Sequence, residues 1–130
     1  MFALDTNTIV YFFRGDGRVE ERLLATSPSE VAIPAVVVYE LEAGIARLTQ
    51  PAKRRTQLDE LLSIVTVLPF DRLAAAAAAQ IEASLRSAGK PIGPMDTLIA
   101  GTALANRATL VTRNTREFHR VRGLAVVDWY

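Results

Sequence analysis

The residues able to do chemistry in this chain are carboxylates, and three stand in suggestive settings. They are Asp5 in Leu4-Asp5-Thr6-Asn7, Glu40 in Tyr39-Glu40-Leu41, and Asp96 in Pro91-Ile92-Gly93-Pro94-Met95-Asp96. A further polar block, Thr112-Arg113-Asn114-Thr115-Arg116-Glu117-Phe118, adds an amide and another acid beside the densest arginines of the sequence. Several carboxylates brought together without a matching base repel one another and are costly to ionise. A divalent cation removes that cost. Mg²⁺ in particular binds through one or two carboxylates, keeps waters and completes its shell with phosphate oxygens. Such a site activates water and stabilises the leaving oxygen of a phosphodiester. Arg113 and Arg116 would supply phosphate contacts, with Asn7, Thr112 and Asn114 as supporting polar groups.

Each acid also has a plainer reading. Asp5 suits the N-cap of a helix. Asp96 falls in the first turn of one, where the helix dipole favours a negative charge. Glu40 competes with Glu42: at 100° per residue the two flank a stripe centred on Leu41, and periodicity does not choose between them. Gly44, one turn beyond Glu40 on its flank, would leave room for a close neighbour or a ligand. Asn114 and Thr115 suit caps, and Glu117 an ordinary surface position. The arginines around residue 116, and the second cluster of Arg47, Lys53, Arg54 and Arg55, read singly as solvated faces.

The elements that must position these groups alternate along the chain. Apolar strands are expected at residues 2–4, 31–33, 64–68, 109–111 and 125–127. Helices are expected at 5–14 and 18–25, from Pro34 as first helical residue to Leu48, from Pro51 with Leu58, Leu61 and Leu62 as its apolar face, from an Asp71 N-cap to Ala88 before Gly89, and from Gly93-Pro94 to Asn106. Short apolar strands alternating with helices predict a parallel sheet covered on both faces. Ligands of such sheets bind beyond the carboxyl ends of the strands, where Asp5, Glu40 and the block from Thr112 fall.

Composition narrows the chemistry. The chain has 130 residues, the length of one domain, with 50% hydrophobic and 22% charged residues and a net charge of +1, a globular composition that makes no polycation. There is no cysteine and one histidine, His119, so thiolate zinc sites, disulfides and cysteine nucleophiles are excluded and any metal must be held by oxygen. These features predict a reducing, cytoplasmic setting and a hard cation. No apolar run is long enough to span a bilayer, and no basic segment precedes Asp5 as a secretory signal would require. Neither glycine-rich phosphate-loop pattern is present.

Taken in order, the blocks Leu4–Asn7, Tyr39–Leu41, Ile92–Asp96 and Leu110–Phe118, with the closing Val127-Asp128-Trp129, resemble the successive blocks of PIN-domain toxins of the VapC type, over essentially the whole chain. The resemblance implies a single PIN domain over residues 1–130: an α/β three-layer sandwich whose central, mostly parallel sheet has about five short strands. It implies a Mg²⁺-dependent endoribonuclease (Mn²⁺ substituting) that cleaves structured RNA, tRNA above all, and inhibits translation. It further implies neutralisation by a VapB-type antitoxin, a homodimer, contact with DNA only through the antitoxin, and no membrane association. Carried over, Asp5, Glu40 and Asp96 are the metal-binding acids. Many PIN domains place a fourth acid where this chain has Asn114. Glu117 is the candidate substitute, and the expectation is one well-occupied metal at rest, with any second arriving alongside RNA.

Two other classes set the tests. A phosphotransferase or receiver-like site would phosphorylate Asp5, but position 7 is Asn and no acidic pair adjoins Asp5; beryllofluoride trapping discriminates. A non-catalytic PIN-like RNA- or protein-binding module would keep the fold without cleaving.

Overall fold

The strands are short and almost wholly apolar, as a sheet buried on both faces requires. In the computed structural model, which describes residues 1–130, they are β1 (Phe2–Leu4), β2 (Val31–Pro34), β3 (Thr66–Leu68), β4 (Thr109–Val111) and β5 (Val126–Val127). They form one sheet of order β3-β2-β1-β4-β5, and every pairing is parallel. The expected mostly parallel sheet is therefore parallel throughout. Successive side chains point to opposite faces of a strand. Ala3 and Leu4, Ala32 and Ile33, and Leu110 and Val111 are nonetheless all fully buried, so helices cover both faces. One core cluster joins the layers, from Leu4 and Ile9 through Val37 and Leu58 to Ile99 and Phe118.

The helices are α1 (Thr6–Arg14), α2 (Val19–Leu24), α3 (Ala35–Ala46), α4 (Ala52–Leu62), α5 (Arg72–Ser87), α6 (Pro94–Ala105) and the single turn α7 (Thr115–Phe118). None is long and apolar enough to cross a membrane. Local signals set several ends. Asp71 caps α5 by accepting from the Ala74 N–H at 3.0 Å. Gly89, at φ 70°, ends it, with its own N–H and that of Lys90 returning to Arg86 and Leu85 carbonyls; the left-handed conformation is one glycine adopts without a Cβ penalty.

Most ends fall within two residues of the sequence reading, α3 stopping at Ala46 and β5 starting at Val126, and three differences have a physical cause. Pro34 closes β2, paired with Leu68, instead of opening α3. A proline φ suits either place, and at a strand's end its missing N–H costs little. Ile64 and Val65 lie outside β3 because the end of α4 runs on through a turn, the Ile64 N–H donating to the Leu61 carbonyl at 3.2 Å. A 3₁₀ turn at Pro28–Glu30 was not foreseen.

Two features matter below. Along the α5–α6 seam, Gly101 lies so close to Ala78 that an added Cβ would stand 2.6 Å from the alanine's own. And the strand order reverses at β1, which has β2 on one side and β4 on the other. That reversal opens a crevice beyond the carboxyl ends of β1 and β4.

Candidate active site

Asp5 follows β1 directly and Thr112 follows β4, so both stand at that crevice. The two strand ends are knitted together there: the Asp5 N–H and the Thr8 hydroxyl each donate to the Val111 carbonyl, at 3.1 Å. Asp5 is only 7% exposed. Its Oδ1 accepts from the Thr8 N–H at 2.9 Å as the N-cap of α1. The capping role and the site role thus coexist, one oxygen serving the helix. Burial pushes the Asp5 carboxyl up from its ordinary value; the Thr112 and Thr8 side chains beside it pull the other way, and the charge of Glu40 adds to the rise.

Glu40 lies on α3 and is drawn toward the crevice by Thr6, whose hydroxyl donates to its Oε1 at 2.6 Å. Glu42 is turned to α4, where Arg55 pairs with it. Of the two acids that helical periodicity left equivalent, Glu40 bonds to α1 and Glu42 pairs with α4. Gly44 faces open space, with nothing within 4 Å of a Cβ built there. The close neighbour that its small size suggested is absent.

Asp96 stands three residues into α6, whose entry is Gly93 at the cap and Pro94 in the first turn. A Cβ on residue 93 would come within 3.8 Å of Asp96 Oδ2. Although a helix N-terminus favours an ionised acid, the Asp96 carboxyl is raised from 3.8 to about 6, first by burial and then by the charges of Asp5, Glu117 and Glu40. Four carboxylates from β1, α3, α6 and α7 therefore act on one another. Glu117 and Asn114 are not alternatives: the Asn114 side-chain amide donates to Glu117 Oε2 at 2.9 Å, and the Asn114 N–H donates to the fully buried Thr112 hydroxyl at 3.0 Å.

Asp5, Asn7, Tyr11, Arg113 and Asn114 line a cleft of about 240 Å³. Asn7 and Tyr11 share a face of α1 at i, i+4, a spacing that could have pointed to Tyr11. Tyr130, which packs against two of these residues, Tyr11 and Arg113, has no such local signal. The Arg113 guanidinium carbon lies over the Tyr130 ring, 3.6 Å from its centroid. Arg116 and His119 are exposed and in no ion pair with the acids. The second basic cluster is structural: Arg55 serves Glu42, while Arg54 donates to Gln57 and covers the Phe13 ring.

As they stand, no three acids or histidines approach closely enough to hold one ion between them. That suits a cation bound through one or two carboxylates and water better than a closed protein cage. A larger cleft, about 610 Å³ between α5 and the segment entering α6, is lined mainly by apolar side chains, and its two charges, Glu82 and Arg86, pair with each other. It offers shape without a free reactive group, whereas the smaller cleft carries the Asp5 carboxylate.

The PIN domain family profile matches residues 2–124. The tRNA(fMet)-specific endonuclease VapC of Shigella flexneri is 34% identical over 128 residues, covering 98% of this chain and 97% of that protein. Among solved structures, DNA-bound VapBC from Salmonella typhimurium contains a chain that superposes with a TM-score of 0.92 at 32% identity, over 99% of this chain and 98% of that one. VapBC2 from Rickettsia felis, bound to a promoter DNA fragment, gives 0.91 at 29% identity over the same shares. The motifs, the parallel five-stranded sheet and these likenesses agree: the chain belongs to the PIN-domain family, within its VapC group.

Proposed function

We propose that this protein is the toxin of a VapBC-type pair: a Mg²⁺-dependent endoribonuclease that hydrolyses phosphodiester bonds in structured RNA, tRNA foremost, and so inhibits translation until a VapB-type antitoxin neutralises it. The observation that carries this reading is that Asp5, Glu40, Asp96 and Glu117 are in no ion pair, while burial first and then the charges of the other three raise the Asp96 carboxyl. Oxygen donors with unrelieved negative charge suit a hard divalent ion. Mn²⁺ has the same donor preference.

Asp5 and Asp96 would hold the ion directly, and Glu40 directly or through water. When bound, the ion supplies an activated water and charge stabilisation for the leaving oxygen. The chain's own work is placement. Thr8 fixes Asp5 through the helix cap, and Thr6 and Asn114 fix Glu40 and Glu117. Glu117 is set to accept a proton from a water on its side of the cleft. Arg116, free of ion pairs, is available to phosphate. One direct metal at rest, with a second arriving with RNA, follows from an amide standing at position 114. The relatives named above that were solved as VapBC complexes support an antitoxin partner; the homodimer, and contact with DNA only through the antitoxin, are part of the same proposal.

The test is cleavage of total tRNA by purified protein, with Mg²⁺ or with excess EDTA, alongside Asp96→Asn. Cleavage that requires the cation and is lost in the variant is expected. Equal cleavage in EDTA would sink the metal mechanism. Tight RNA binding without cleavage under any divalent ion would favour the non-catalytic module.

A further inference from the structure

Arg113 lines the cleft with Asp5 yet forms no ion pair. Its guanidinium is stacked instead, 3.6 Å from the Tyr130 ring centroid and 5.8 Å from that of Tyr11. The two rings meet edge to face at 4.9 Å and 76°. This cluster is seated by contacts far apart in sequence. The Arg18 N–H donates to the Tyr130 carbonyl at 2.7 Å. Gly17, at φ 61°, passes so close that a Cβ there would be 2.6 Å from that carbonyl oxygen and 2.8 Å from the ring. Beside it the Trp129 ring packs on Phe2 at 5.1 Å. A guanidinium seated on an aromatic ring keeps its N–H edge free for phosphate and has a second planar face besides. Unstacked bases dock on such faces and on aromatic rings.

We infer that Arg113, Tyr130 and Tyr11 form a base-stacking platform that receives one unpaired nucleobase beside the acids. Arg113 then acts as a planar surface, and the substrate must present an unstacked nucleotide next to the bond that is cut. The inference rests on the ribonuclease reading and makes it narrower: selection at the cleft is for a splayed base, in a loop, bulge or single strand.

The probe is a short oligouridylate carrying one central 2-aminopurine, titrated with Asp96→Asn protein, which binds without cutting. Stacking on the platform should quench the 2-aminopurine, and annealing the complementary strand should weaken binding by about tenfold or more. In the same background, Arg113→Lys keeps the cation but loses the plane. It and Tyr130→Ala should abolish the quench and weaken binding by about tenfold, the range of a single base stack, while Tyr130→Phe keeps both. In otherwise wild-type protein, Arg113→Lys should raise KM with kcat little changed. Undiminished quench and affinity in Arg113→Lys and Tyr130→Ala, with thermal melts showing both folded, would overturn the platform. Cleavage by the wild type without any quench overturns the platform but leaves the ribonuclease reading standing. Quench without cleavage does the reverse.

Discussion

The α5–α6 seam and the crevice between β1 and β4 are both tightly built, but opposite forces are at work in them. In the seam, Ala78 and Gly101 let two helices approach until a Cβ has no room at position 101. At that crossing the groups are uncharged and are satisfied by contact. In the crevice, Asp5, Glu40 and Glu117 are fixed by neutral donors, namely a backbone N–H, a hydroxyl and an amide. The cations that could neutralise acids are engaged elsewhere, Arg55 with Glu42 and Arg86 with Glu82. Position is fixed while charge is left standing. One region satisfies its groups by contact, whereas the other holds carboxylates in place without an ion pair, as the proposed cation site requires.

The largest effects should separate the two regions cleanly. Asp96→Asn is expected to lower RNA cleavage about a thousandfold, some 4 kcal/mol of transition-state stabilisation, while thermal unfolding in EDTA shows no loss of stability. Unfolding of Asp96→Asn well below the wild-type temperature would break the comparison. Gly101→Val should do the opposite. Driving methyls into the Ala78 backbone is expected to destabilise by about 3 kcal/mol, read by denaturant titration, with the specific activity of the folded fraction retained.

Smaller effects sharpen the contrast. Thr6→Val and Asn114→Ala free Glu40 and Glu117 without removing a carboxylate. Each should cost roughly tenfold in cleavage, measured at saturating Mg²⁺, with unchanged melting. The smallest concerns pH. The Asp96 carboxyl titrates near 6 in the folded chain against an ordinary 3.8, so the folded state binds the proton more tightly. Its stabilising contribution is present below about pH 4 and is lost as pH rises through 6. Melting temperature in EDTA should therefore fall between about pH 4 and pH 6, by the equivalent of about 1 kcal/mol once solvent screening of this half-buried group is allowed for. Mg²⁺ at neutral pH should restore it. A flat profile would mean that neither burial nor the neighbouring acids disfavour the Asp96 charge.

Much of this was legible because the signals are local. Apolar triplets followed at once by Asp5 or Thr112 mark strand ends, and Gly93-Pro94 marks the helix that carries Asp96. What was not legible depends on partners distant in sequence. Glu40 and Glu42 are equivalent by periodicity, and only Arg55, on another helix, separates them. Asn114 and Glu117 looked like rival candidates, yet one turn of α7 makes them a hydrogen-bonded unit. Tyr130 reaches the cleft through Gly17, more than a hundred residues away in sequence, a closure that no local pattern encodes. Pro34 was misplaced because its fixed φ serves a strand end as well as a helix start.

Asp5 decides how an inert version of this protein should be made. Its Oδ1 closes the first turn of α1, so Asp5→Ala strips a helix cap, about 1 kcal/mol, together with the negative charge. The result would be a weakened scaffold whose silence has two causes. Asp5→Asn keeps an acceptor for the Thr8 N–H and removes only the charge, and Asp96→Asn leaves that cap untouched. Anyone wanting a harmless stand-in to raise antibodies, capture an antitoxin or trap RNA should begin from the amides and leave alanine at position 5 alone.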